Sequence, residues 1–133
     1  EKPKPEDLKH LIGRLRAFND AHSPIPFARQ DLRLFARDET GAILGGLLGT
    51  VQMHCLVIQI MWVEEEMRGK GLGRQLMAEA EAQATKAGAL QSILETTSFQ
   101  APGFYQKLGY AMLFEVRDAP MGASTIFLQK SLR

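Results

Sequence analysis

The stretch LRLFARDETGAILGGLLGTVQMHCLVIQIMWV, Leu32 to Val63, constrains the fold more than any other part of the chain. Its segments are rich in Leu, Ile and Val, and turn-forming residues cut it into pieces of strand length. DETG supplies one turn and a second falls near Gln52 to His54, so the stretch reads as strand, turn, strand, turn, strand. Connections this short join antiparallel neighbours, because a parallel pair needs a crossover of about a dozen residues or more.

The period then changes. From Gly71 to Ala87, Leu72, Leu76, Met77, Ala80 and Ala84 form an apolar helical stripe, and Gly88 is a natural stop. LQSILETT follows as a short strand, completing one strand–helix–strand crossover. Ala101 to Leu108 reads as a short helix that starts beside a proline and stops at Gly109. YAMLFEV and STIFLQKSL close the chain as two strands, joined by the turn-rich RDAPMGA. At the other end, Leu8, Leu11, Ile12, Leu15 and Phe18 give Pro5 to Ala21 one apolar helical face, and HSPIP breaks it. This order predicts an α+β fold: a mixed, mostly antiparallel sheet of about six strands with three to four helices on its faces. With no internal repeat, low-complexity tract or mid-chain linker, residues 1–133 read as a single domain.

Composition narrows the function classes. Hydrophobic residues make up 45% and charged residues 23%, near the globular average, so disorder is not expected. A net charge of +1 offers no basic surplus for a general nucleic-acid binder. The longest apolar runs, such as CLVIQIMWV, fall well short of the roughly 18 residues of a membrane span. EKPKPED is polar and proline-rich, unlike a secretory signal. Cys55 is the sole cysteine and cannot form an internal disulfide, which suits a reducing cytoplasm. The expectation is a cytoplasmic protein, monomer or homodimer, with no nucleic-acid or membrane partner.

The chemistry concentrates in EEEMRGKGLGRQLM, Glu64 to Met77. The first backbone N–H groups of a helix lack intrahelical partners and sit at the positive end of its dipole. Glycines before and inside the first turn remove side chains that would block a ligand, and an anion such as phosphate is the natural guest. Arg68, Lys70 and Arg74 would add full charges beside it. The dinucleotide fingerprint G-x-G-x-x-G fails in both registers, because its third glycine would fall on Arg74 or Leu76, and the triphosphate loop is absent. From the residues alone the turn is either a phosphate cradle or a tight glycine-rich connection. The acids Glu64 to Glu66 read as a solvated loop.

RGKGLG, placed after a strand ending MWV and opening an amphipathic helix, resembles the R/Q-x-x-G-x-G/A signature of the GNAT superfamily of N-acetyltransferases. SFQAPGFYQKLGY is similar to the segment that forms the last helix of many members, and RDAPMGASTIFLQKSL to their final hairpin. The likeness runs from about Leu32 to the end. It implies transfer of an acetyl group from acetyl-coenzyme A to a small-molecule or peptide amine. It assigns Arg68, Gly69, Gly71, Gly73 and Arg74, with Lys70 and Leu72 in the same turn, to the cofactor's pyrophosphate. It assigns the backbone of Met61, Trp62 and Val63 to the pantetheine arm, in a gap where this strand splays from its neighbour. The family's tyrosine that protonates the leaving thiolate corresponds to Tyr105. Members usually begin with a strand ahead of the first helix, and here only EKPKPED precedes it.

Other candidates stay open. Tyr105 also suits a phenol packed at a helix–sheet seam with its hydroxyl on a backbone group. Glu95, ending SILE, is the nearest carboxylate for a general base, and equally an exposed strand-end acid. His54 and His22 have weaker support. Trp62, Phe99 and Phe104 read as core or cleft wall. Cys55 has no histidine–acid pattern of a nucleophile, and no cysteine–histidine cluster suggests a metal.

Overall fold

The computed structural model describes residues 2–26 and 28–133. Helix α1 (Pro5–His22) leads into three strands, β1 (Arg29–Arg37), β2 (Ile43–Gln52) and β3 (Cys55–Val63). A 3₁₀ turn (Glu65–Met67) precedes α2 (Leu72–Lys86), and β4 (Gln91–Thr97), α3 (Pro102–Lys107), β5 (Ala111–Arg117) and β6 (Ser124–Ser131) complete the chain. The six strands form one sheet in the order β1-β2-β3-β4-β6-β5. All neighbours are antiparallel except β3 and β4, which are parallel because α2 connects them. The predicted α+β architecture is therefore present, with three α-helices and one 3₁₀ turn among the described residues.

Turn chemistry explains the meander. Asp38 closes the β1–β2 turn: its Oδ1 accepts from the backbone amides of Thr40 and Ala42 and from the Thr40 hydroxyl at 2.6–3.0 Å. The Thr40 hydroxyl bond, first, and the amides hold its carboxyl below the usual range. The second turn is two residues long. Met53 and His54 both have positive φ, 51° and 61°, as a tight hairpin requires.

The core lies between one sheet face and α2. Leu32, Leu47, Val51, Leu56, Ile58, Leu94, Ile126 and Leu128 of the sheet meet Leu76, Met77, Ala80 and Ala84 of the helix, all buried. Tyr110 closes the same layer, its hydroxyl donating to Ser92 Oγ at 2.7 Å and lying 3.4 Å from Glu81 Oε2, while Lys130 Nζ pairs with Glu81 at 2.5 Å.

Two expectations are corrected. Gly71 does not begin the helix but caps it in the left-handed conformation, and Tyr110 precedes β5 rather than joining it. The apolar face of α1 forms as a stripe, yet none of the helix is buried, and Leu8, Leu11, Leu15 and Phe18 are 59–67% exposed. Among the described residues no strand precedes α1, and no helix is long and apolar enough to cross a membrane.

Candidate active site

Strands β3 and β4 begin as partners and then part. Their pairing runs from Cys55–Gln91 to Ile58–Leu94 and stops, although β3 continues to Val63 and β4 to Thr97. The cause lies on the other edge of β3. There Gly49 faces Ile58 and Leu48 faces Ile60, so Gln59 is one residue too many for its partner strand. Such a bulge bends the strand and increases its twist. Beyond it β3 follows β2 while β4 follows β6, and a wedge opens between Gln59–Val63 and Glu95–Thr97.

The glycine-rich turn stands at the mouth of this wedge. Gly69 and Gly71 have φ of 77° and 89°, and a Cβ at either would meet nothing within 4 Å. They are glycine for backbone conformation, and the space beside them is open. Gly73 is glycine for another reason. Its Cβ would come 3.1 Å from the Phe104 ring and 3.5 Å from Met61 Cε, so it seats α2 against α3 and β3.

The helix start is bare. No side chain caps α2 and its first turn holds no acid. The Gln75 amide bonds the Gly71 carbonyl at 3.0 Å, whereas the amides of Leu72, Gly73 and Arg74 have no acceptor among the described residues. Lys70 and Arg74 are exposed beside them. Arg68 is committed elsewhere: its Nε donates to the Val63 carbonyl at 3.1 Å and its guanidinium lies 4.6 Å from the Trp62 ring centroid. It ties the turn to the end of β3. Gly45, which sequence reasoning missed, lets these parts approach: a Cβ there would lie 2.9 Å from the Trp62 carbonyl oxygen and 3.3 Å from Leu72 Cδ2. A glycine inside a strand pattern was the available signal.

Tyr105 and Glu95 flank the wedge from opposite faces. Tyr105 belongs to the core side, edge-on to Phe104 and Tyr110 at centroid distances of 5.1 and 6.2 Å. Its ring is buried, but its hydroxyl bonds to no described residue. That hydroxyl still reaches solvent, since Thr97 Oγ1 is the one sealed side-chain polar atom without a partner among the described residues. The backbone bond of a purely packed phenol is missing. Burial pushes the Tyr105 phenol above its usual pKa, so it stays protonated at neutral pH. Glu95 is exposed and alternates with buried Leu94 and Thr96, which puts it on the other face, at the first β4 position past the last pair with β3.

Among the remaining candidates, the histidines and Cys55 fall outside the wedge. His54 sits in the hairpin at the far end of β3, and His22 bonds the Phe18 carbonyl at the end of α1. Phe99 is 68% and Trp62 54% exposed, so neither is core. Cys55 is half-buried at the start of β3, and burial raises its thiol pKa, the opposite of an activated nucleophile. No cluster of His, Cys, Asp or Glu among the described residues is arranged for a metal.

A sheet that splays beside a glycine-capped helix is the arrangement that the GNAT resemblance implied, and comparison with known proteins agrees. The Acetyltransferase (GNAT) domain family matches residues 30–112. The blasticidin-S acetyltransferase of Streptomyces morookaense is 39% identical, over 91% of this chain and 98% of its own. The crystal structure of an acetyltransferase from Bacillus cereus superposes with a TM-score of 0.90 at 32% identity, covering 98% of this chain and 95% of that one. Nourseothricin acetyltransferase superposes with a TM-score of 0.67 at 25% identity, over 74% and 64% of the two chains. The chain belongs to the GNAT acetyltransferase family.

Proposed function

We propose that the protein transfers an acetyl group from acetyl-coenzyme A to a primary amine of a small molecule. The observation that carries this reading is the meeting of three unsatisfied features at one place: the bare amides of α2, the open side of Gly69 and Gly71, and the unpaired edge of β3. They fit an elongated ligand with an anionic end and an amide-bearing arm, as coenzyme A is. The amides of Leu72, Gly73 and Arg74, with Lys70 and Arg74 as counter-charges, would hold the pyrophosphate. The edge of β3 from Met61 to Val63, which β4 leaves unpaired and where Arg68 holds the Val63 carbonyl, would pair with the arm as an added strand does.

Acetyl-coenzyme A supplies an activated acetyl thioester. Tyr105, protonated and with its hydroxyl uncommitted, would donate to the sulfur as it leaves. Glu95, on the opposite face, would take the proton of the incoming amine. Arg68, which holds the turn against β3 through Val63 and Trp62, would add its charge beside the same phosphates. The acceptor class rests on the relatives named for blasticidin-S and nourseothricin.

Thiol release from acetyl-coenzyme A, followed over a panel of amines that includes blasticidin-S, tests the reading. Turnover with a small-molecule amine is expected. Tight coenzyme A binding without release for any amine would leave a ligand sensor instead, and absence of binding would remove the cradle assignment.

A further inference from the structure

Two apolar surfaces of this chain face solvent and do not meet each other. One is the stripe Leu8, Leu11, Ile12, Leu15 and Phe18 on α1, a helix with no buried residue. The other is the sheet face opposite α2. Residues alternating with the core positions point there, and Phe35, Ile60 and Trp62, on β1 and β3, are 51–56% exposed on it. Phe35 and Trp62 both pair with Gly46, so their rings flank a glycine gap.

We propose that α1 is an exchanged arm: in a homodimer each copy lays the apolar stripe of α1 along the β1–β3 side of the other's bare sheet face, leaving Glu95 on β4 open. Area supports a second copy as occupant. The chain exposes 9497 Å². A globular monomer of 14.8 kDa is expected to expose roughly 7,000 Å². The surplus, roughly 2,500 Å², exceeds the roughly 800 Å² per partner of a standard interface and suits an obligate one. Length agrees as well. Eighteen residues of α1 make a rod of about 27 Å. The nine-residue strands β1 and β3 run about 30 Å. The connector is stiff. Ser23 leaves the helix extended, its hydroxyl accepts from the Ile25 amide, and Pro24 and Pro26 each fix φ. Exposed apolar patches of this size mark interaction sites, and reciprocal exchange satisfies both at once.

Sedimentation equilibrium of the full chain at micromolar concentration is expected to give twice 14.8 kDa. Leu11→Lys with Leu15→Lys spoils the arm, and Phe35→Lys separately spoils the sheet face. Each variant alone should raise the dimer dissociation constant at least about 100-fold, as losing buried anchors does. An equimolar mixture of the two should recover association, because one of the two seams is then intact. A monomeric wild-type chain, an arm variant that dimerises normally, or a mixture that fails to associate would each overturn the proposal. If a variant does not fold, amide exchange of residues 5–22 in the wild-type chain decides. Protection that is lost on dilution supports exchange, and protection independent of concentration means that the arm covers its own sheet or none.

Discussion

Gly71 is the position at which backbone strain and ligand charge can be separated. Its φ of 89° is left-handed and its Cβ position is empty to 4 Å. Alanine there meets no clash and carries only the conformational cost of a non-glycine residue, about 1–2 kcal/mol. Glutamate carries the same cost, offset by about 0.3–1 kcal/mol because an anion at a helix N-terminus is favourable. Stability alone therefore ranks Gly71→Glu equal to or slightly above Gly71→Ala. Gly71→Ala should melt below wild type by about 3–10 °C and Gly71→Glu by about 0–8 °C, at about 3–5 °C per kcal/mol for a chain of this length. Coenzyme A should rank them the other way. A solvent-exposed carboxylate about 5 Å from each of two phosphate charges is unfavourable by roughly 1–2 kcal/mol near the dielectric of water, a factor of about 10 in affinity. The assay is isothermal calorimetry with coenzyme A beside a thermal melt of each variant. Equal affinities for Gly71→Ala and Gly71→Glu would refute the anion cradle, whatever the melts gave. An added-salt series checks the origin of the difference, which should shrink as screening grows.

The other predictions concern the tyrosines. Tyr105→Phe should lower kcat about 10- to 10³-fold with near-normal KM for acetyl-coenzyme A and a near-normal melting temperature, since the hydroxyl it removes bonds to no described residue; full turnover in steady-state kinetics would take Tyr105 out of the mechanism. Tyr110→Phe should do the opposite, costing about 1–3 kcal/mol in denaturant unfolding because it strands the buried Ser92 hydroxyl, with turnover per folded molecule unchanged. Burial, first, raises the phenol pKa of both residues in the folded state. The unfolded chain therefore loses those protons first, so the stability they contribute is fully present below pH about 10 and falls above it by up to about 1.4 kcal/mol per pH unit for each phenol, which urea melts between pH 8 and 11 would detect.

Sequence periodicity reads what a segment does with its own neighbours and is silent on what lies across from it. The meander, the crossover and the α2 stripe were legible because each follows from spacing and turn residues within one segment. The stripe on α1 was legible too, but a stripe says only that something must cover it, and none of the described residues buries it. The wedge could not be read from residues alone: Gln59 is an ordinary residue in CLVIQIMWV, and its bulge exists only relative to Leu48 and Gly49 on the next strand. Within RGKGLGR the letters are alike but their reasons differ. Gly69 and Gly71 answer to φ, Gly73 answers to Phe104, and Arg68 answers to Trp62. That division has a consequence for how the turn tolerates change. Asparagine is the replacement expected to suit Gly69 or Gly71, because it visits the left-handed region most readily after glycine. At Gly73 the backbone is helical and alanine would gain helix propensity of about 1 kcal/mol, so only the Phe104 contact opposes it. A smaller side chain at Phe104 should therefore rescue Gly73→Ala, and no change at Phe104 should rescue Gly71→Ala.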